Sequence, residues 1–218
     1  MVQKKTPAPK VAASAEPRRR GRPRAYEPDQ AIGQALALFR KDGFAATSLD
    51  DLSAATGMNR PSLYGAFGDK RALYIKSYQR YRDDYTAAVQ EILKDDCPVR
   101  DRLGRIYDVA LDIYMLGADA PRGCFTAMTV ASDAIADPEI RRMIQEALEA
   151  LDRTFLWCFR TAVDTGELPA TADVATLSQM ASATLYALAI RSRAGVPRGE
   201  LQAFAAGAVD LLCRPAPK

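Results

Sequence analysis

From Pro28 onward, apolar side chains recur at helical intervals. Ile32, Ala35, Leu36 and Phe39 fall at i, i+3, i+4 and i+7, one face of an α-helix, and Gly43 in Lys41-Asp42-Gly43-Phe44 supplies a stop. Thr47-Ser48-Leu49-Asp50-Asp51 follows, with a capping hydroxyl and an acid three residues later. It opens a short second helix with Leu49 and Leu52 inward and Gly57 at its end. A third, very short helix starts near Asn59-Arg60-Pro61, with proline in its first turn and Leu63 and Phe67 four apart on one face. Residues 70 to 213 show no strand-like alternation and are rich in Ala, Leu, Asp and Arg. Helices are expected at about 70–93, 98–117, 123–135, 138–166, 173–195 and 198–212, separated by Pro, Gly and Asp-Pro punctuation. The fold class is therefore all-α, with about nine helices.

The chain ahead of Pro28 reads differently. Residues 1–17 are rich in Pro, Ala and Lys without apolar periodicity, the composition of a disordered segment. The run Arg18-Arg19-Arg20-Gly21-Arg22-Pro23-Arg24 sets guanidinium groups on either side of Gly-Arg-Pro, an extended strip narrow enough for a DNA minor groove. Arg20, Arg22 and Arg24 are the candidate groove residues; the alternative is a solvated charge run. The net charge of +3 hides the asymmetry, because residues 1–28 carry +6, residues 29–76 +1 and residues 77–218 −4. A basic arm on an acidic body suggests a polyanionic partner.

The first three helices, with a Gly57 turn between the second and third, form a helix-turn-helix pattern, whose last helix enters a major groove with its N-terminal residues near base edges. Arg60, Pro61, Ser62 and Gly65 are the candidate base contacts: a guanidinium for guanine, a ring against a thymine methyl, a hydroxyl, and room for close approach. Thr47, Ser48, Tyr64 and Lys70 are the candidate phosphate contacts.

Composition narrows the chemistry. The 218 residues contain no histidine, which removes His-dependent triads, His-ligated metals and imidazole acid/base catalysis. Asp83-Asp84, Asp95-Asp96 and Cys124 share no catalytic spacing, so the chain is read as no enzyme, with no metal and no cofactor. Cys97, Cys124, Cys158 and Cys213 form no CxxC pair, as expected of reduced thiols in the cytoplasm. There is neither a signal-peptide core nor an apolar run of membrane-spanning length, so no membrane association and a cytoplasmic location are expected.

The stretch from Ala46 to Tyr74, ATSLDDLSAATGMNRPSLYGAFGDKRALY, resembles the DNA-binding domain of TetR/AcrR-family transcriptional regulators. Thr-Ser, the Gly turn, Ser-Leu-Tyr, Phe and Lys-Arg-Ala-Leu all fall at that family's spacing. Ala66 stands where many members carry an aromatic residue or histidine, so a DNA contact made from there is not expected. The resemblance implies a homodimeric regulator, more in keeping with a repressor, that binds an operator on double-stranded DNA and responds to a small effector. The division expected is a basic arm at 1–27, a helix-turn-helix domain at 28–74, an effector-binding and dimerisation domain at 75–213, and a tail at 214–218. An architectural DNA binder with little sequence specificity is the alternative.

Arg122-Gly123-Cys124-Phe125 is similar to a motif opening the sixth helix in a subgroup that includes electrophile and metal sensors. Cys124 is thus either a sensor thiol, favoured as thiolate by a helix start and by Arg122, or a small residue packed beneath a cavity. Candidate pocket residues are Tyr85, Tyr107, Tyr114, Cys124, Phe125, Met128, Phe155 and Phe159, suited to an apolar or aromatic effector. The last two helices are rich in Ala, Ser, Thr and Gly, which permits close packing against a second copy as well as against their own body.

Overall fold

The computed structural model describes residues 27–116, 123–132 and 137–214. Arg20, Arg22, Arg24 and Arg122 lie outside the described residues. Helix starts in this chain are written by proline, serine, asparagine and above all aspartate. α1 (Pro28–Ala46) begins on a proline, and α2 (Leu49–Thr56) on a full capping box. In that box Ser48 Oγ accepts from the Asp51 N–H while the Asp51 carboxylate accepts from the Ser48 N–H at 2.8 Å. α3 (Arg60–Phe67) starts on Asn59, which accepts from the Ser62 N–H at 2.9 Å. Asp69, Asp137 and Asp173 cap α4 (Lys70–Lys94), α7 (Pro138–Asp164) and α8 (Val174–Arg193) in the same way. Each such cap stabilises its helix by about 1 kcal/mol. α5 (Val99–Tyr114), α6 (Phe125–Ser132) and α9 (Arg198–Leu212) complete nine helices, and no strand occurs among the described residues.

Two boundaries differ from expectation for backbone reasons. Gly43, with φ 80° and ψ 171°, leaves helical geometry as expected, yet it kinks α1 and a final turn runs on to Ala46. Gly123 has φ 65° and cannot open a helix, so α6 begins at Phe125.

α5 is the central pillar, packed against α4, α7, α8 and α9. Its Leu103, Ile106, Tyr107, Ala110 and Leu111 are fully buried. α1 lies on α4, while α7, α8 and α9 pack side by side. A chain of edge-to-face rings joins α1 to α6 through α4: Phe39 of α1 meets Tyr74 of α4 at 5.0 Å, and Tyr74 meets Phe125 of α6 at 5.3 Å. Among the described residues no helix is long and apolar enough to cross a membrane.

Candidate DNA-reading head and ligand cavity

α2, the Gly57 turn and α3 stand on Leu52, Met58, Leu63 and Phe67, all buried, so the opposite side of α3 faces outward. Gly57 takes the left-handed conformation (φ 64°) that lets the chain reverse between the two helices. On the outer side lie Pro61, Gly65 and Tyr64, whose ring is half exposed. A Cβ at Gly65 would meet no protein atom within 4 Å, so no packing demand of this chain explains the missing side chain. Ser62 is half-buried. Arg60 is exposed but engaged: its Nε and Nη2 donate to both oxygens of Asp50 on α2, at 3.0 and 2.7 Å. This pair uses two of the five N–H donors of the guanidinium and leaves the Nη1 donors for other partners.

The phosphate candidates divide. Ser48 is exposed at the start of α2, with its hydroxyl on Asp51. Lys70 starts α4 with its ammonium 4.3 Å from the Phe44 ring centroid. Thr47 corrects the expectation from spacing: it is 1% exposed and its hydroxyl donates inward to the Gly43 carbonyl at 2.7 Å. Of the Thr-Ser pair only one hydroxyl can cap the helix, and the kink at Gly43 offers the other a carbonyl. From α2 through Arg71 three basic side chains meet three acidic ones, and Arg71 is itself clamped by Asp137 and Glu139. The head thus has no excess positive charge, and most of the chain's positive excess lies in residues 1–28, which carry +6.

The second feature is a cavity of about 620 Å³ between α4, α7 and α8. Of the expected pocket residues it brings together Tyr85, Tyr114 and Cys124. The other five do not line it. Tyr107, Phe155 and Phe159 are fully buried in the core, with the Tyr107 hydroxyl on the Ala181 carbonyl at 3.1 Å. Phe125 is enclosed by Tyr74, Tyr78 and Tyr81. Met128 is half-buried away from the cavity wall. Helical periodicity marks which side of a helix is inside but not whether that side meets a neighbour or a void, and this is why core and cavity residues look alike in sequence.

The wall also contains residues that sequence reasoning did not assign to it as a pocket, among them Tyr186 and Thr126, and charged groups at the mouth: Arg82, Asp83, Glu146 and Arg153. Cys124 is 5% exposed and accepts from the Tyr81 hydroxyl at 3.3 Å. Burial pushes the Tyr78 phenol up to about 12 and raises those of Tyr81, Tyr85, Tyr114 and Tyr186, so all are neutral hydroxyls at physiological pH. Among the described residues no three His, Cys, Asp or Glu side chains converge on a metal position.

One junction between the helix-turn-helix unit and the cavity wall is made by a buried arginine. Arg40, near the end of α1, is buried and donates through Nη2 to the carbonyls of Ile113 at 2.7 Å and Gly123 at 2.9 Å. Its guanidinium sits 5.3 Å from the ring centroid of Tyr81, a cavity-wall residue. From α8, Arg193 donates to the backbone carbonyls of Arg40 at 3.0 Å and Lys41 at 3.2 Å.

Comparison with known proteins agrees with this two-part arrangement. Residues 31–76 match the family model of bacterial regulatory proteins of the tetR family, and residues 99–207 match that of the tetracyclin repressor-like C-terminal domain. The chain is 29% identical over 189 residues to the HTH-type transcriptional repressor ComR of Escherichia coli K12, covering 85% of this chain and 89% of ComR. It is 33% identical over 134 residues to the repressor BdcR of the same organism, covering 62% and 66% of the two chains. Among solved structures it is similar to a cysteine-substituted CifR, a TetR-family regulator complexed with a 26-bp double-strand operator DNA, with TM-score 0.78, 24% identity, and 87% and 98% of the two chains covered. With residues 31–76 and 99–207 matched by the two family models, the chain belongs to the TetR family of bacterial regulatory proteins, which are DNA-binding transcriptional regulators.

Proposed function

We propose that the protein is a homodimeric repressor whose two α3 helices read a palindromic operator, and which lets go when a small apolar or aromatic effector enters the cavity. The observation that carries the reading is the Arg40 junction, since one buried side chain of α1 touches both the carbonyl next to Cys124 and the ring of Tyr81. A ligand that displaces Tyr81 or Cys124 displaces the end of α1, and with it the seat of α2 and α3. A coupling of about 1–3 kcal/mol lowers operator affinity some 5- to 150-fold.

In this reading Arg60, Pro61, Ser62 and Gly65 approach base edges, Ser48, Tyr64 and Lys70 hold phosphates, and Arg20, Arg22 and Arg24 follow the adjacent minor groove. The named repressors ComR and BdcR support the sign of the response. Exposed Met180 and Ile190 on α8 and Phe204 and Leu211 on α9 support a dimer through these helices, with the α3 pair roughly 34–36 Å apart. Selection of binding sites from random DNA, followed by footprinting with and without a small-molecule panel, tests the whole. Protection of one short palindrome that a compound abolishes is the expected result. Uniform coverage of A·T-rich DNA points instead to an architectural binder.

A further inference from the structure

Among the described residues of the cavity wall, Tyr85 carries a fully buried polar atom that the fold leaves unmatched. Its hydroxyl oxygen is buried yet has no hydrogen-bond partner among the described residues. The neighbouring hydroxyls differ: Tyr81 donates to Cys124 Sγ, and Tyr78 and Thr126 pair at 3.2 Å. A buried donor without an acceptor is costly, and natural structures keep few of them. Burial holds the Tyr85 phenol protonated, with Cys124, Tyr186 and Tyr107 opposing its ionisation further, so the group has an O–H to donate to an acceptor.

The surroundings limit the charge of that acceptor. The buried part of the wall holds no carboxylate, ammonium or guanidinium: Tyr81, Val89, Tyr114, Cys124, Thr126 and Leu185. A carboxylate or ammonium pressed against it would lose its hydration with no countercharge in the wall. At the mouth, Arg82 and Arg153 are offset by Asp83 and Glu146, and the signs cancel. Neither end of the cavity selects an ion.

We propose that the effector, on the reading of the cavity given above, is a neutral apolar molecule of drug-like size carrying a carbonyl oxygen, held by a hydrogen bond from the Tyr85 hydroxyl once that side chain turns toward the cavity. The volume of about 620 Å³ suits such a molecule.

Equilibrium dialysis of the full chain, without DNA, tests this with matched probes: benzophenone against diphenylmethane, 2-acetylnaphthalene against 2-ethylnaphthalene, and diphenylacetate as the anion. Each ketone should bind about tenfold more tightly than its hydrocarbon partner, and diphenylacetate more weakly than benzophenone. Tyr85→Phe should erase the ketone advantage while hydrocarbon binding persists, which also reports that the variant is folded. Equal binding of ketone and hydrocarbon, a preference for diphenylacetate, no binding of either ketone, or a ketone advantage that survives Tyr85→Phe each overturns the proposal. A compound that binds here yet never releases operator DNA in the footprinting assay would instead overturn the effector reading and leave the ligand class standing.

Discussion

Arg40 and Gly123 lie 83 residues apart in sequence, yet the guanidinium of the first donates to the carbonyl of the second at 2.9 Å, inside the protein. This contact ties α1 to the residue just ahead of Cys124, and Arg193 closes the same junction from α8. Arg40→Met keeps much of the side-chain bulk and removes the donors. It leaves the buried Gly123 carbonyl without this donor, while the part-buried Ile113 carbonyl keeps the Leu116 amide, so stability should fall by about 1–3 kcal/mol. Operator binding without effector should survive below the melting temperature, while the response to effector shrinks. Thermal melting and operator titration with and without effector measure the two effects separately.

Gly123 is a second way to disturb that junction. Its φ of +65° disfavours any side chain, and a Cβ there would lie 2.9 Å from the Ala189 carbonyl oxygen and 3.2 Å from Arg193 Cβ. Gly123→Ala should cost about 2–4 kcal/mol through strain and overpacking together. Gly65→Ala, where a Cβ meets nothing within 4 Å, should leave the free protein's melting temperature nearly unchanged and weaken operator binding. Denaturant titration and operator affinity should rank the two variants in opposite orders.

Asp50 restrains Arg60 at the reading surface. The pair is solvent-exposed, so Asp50→Asn should change stability by less than about 1 kcal/mol. It also frees a guanidinium and removes a negative charge, so affinity for arbitrary DNA should rise. Arg60→Ala should lower discrimination between operator and arbitrary sequence with the fold intact. Competition binding with both DNAs across salt concentrations separates affinity from discrimination.

The Arg71 clamp gives a pH signature. The Arg71 guanidinium at 2.5 Å, with the Ile140 and Glu139 amides, holds the Asp137 carboxyl down at about 2 from its ordinary 3.8. A carboxyl depressed in the folded state stabilises above its unfolded value, so the contribution is complete above about pH 4 and lost as pH falls through about 2. Melting temperatures of the protein and of Asp137→Asn should therefore differ at neutral pH and draw together toward pH 2. A gap that is constant across this range would show that the ionised carboxylate is not its source, since asparagine keeps the helix cap.

Deleting residues 1–24 should flatten the salt dependence of DNA binding. Each phosphate contact removed reduces the slope of log K against log salt by about 0.9. Residues 1–24 hold eight of the chain's basic side chains against one acid, Glu16, while the α2–α3 head is balanced, so most of the slope should leave with them. Fluorescence anisotropy at several salt concentrations measures it, and an unchanged slope would show the arm to be idle.

Local patterns made the helices and their ends legible. The Ser48/Asp51 box, the Asn59 cap and the Gly57 reversal act over three or four residues, and sequence spacing contains all that they require. The same holds for the inward positions of Leu52, Leu63 and Phe67. The cavity was only partly legible. Tyr85 and Tyr107 are both aromatic residues on amphipathic helices, but one borders an open volume and the other is sealed against α8. Thr47 and Ser48 are adjacent hydroxyls with opposite fates, decided by a kink four residues upstream.

Sequence alone determined the all-α class, the helix-turn-helix and the basic arm, because capping, periodicity and charge act through near neighbours along the chain. The tertiary structure decided which tyrosines face a void, that Arg60 rests on Asp50, and that Arg40 joins the reading head to the cavity wall. Those relations depend on how helices distant in sequence come to pack, and the 3.6-residue period gives each helix an inner face without naming what it will meet.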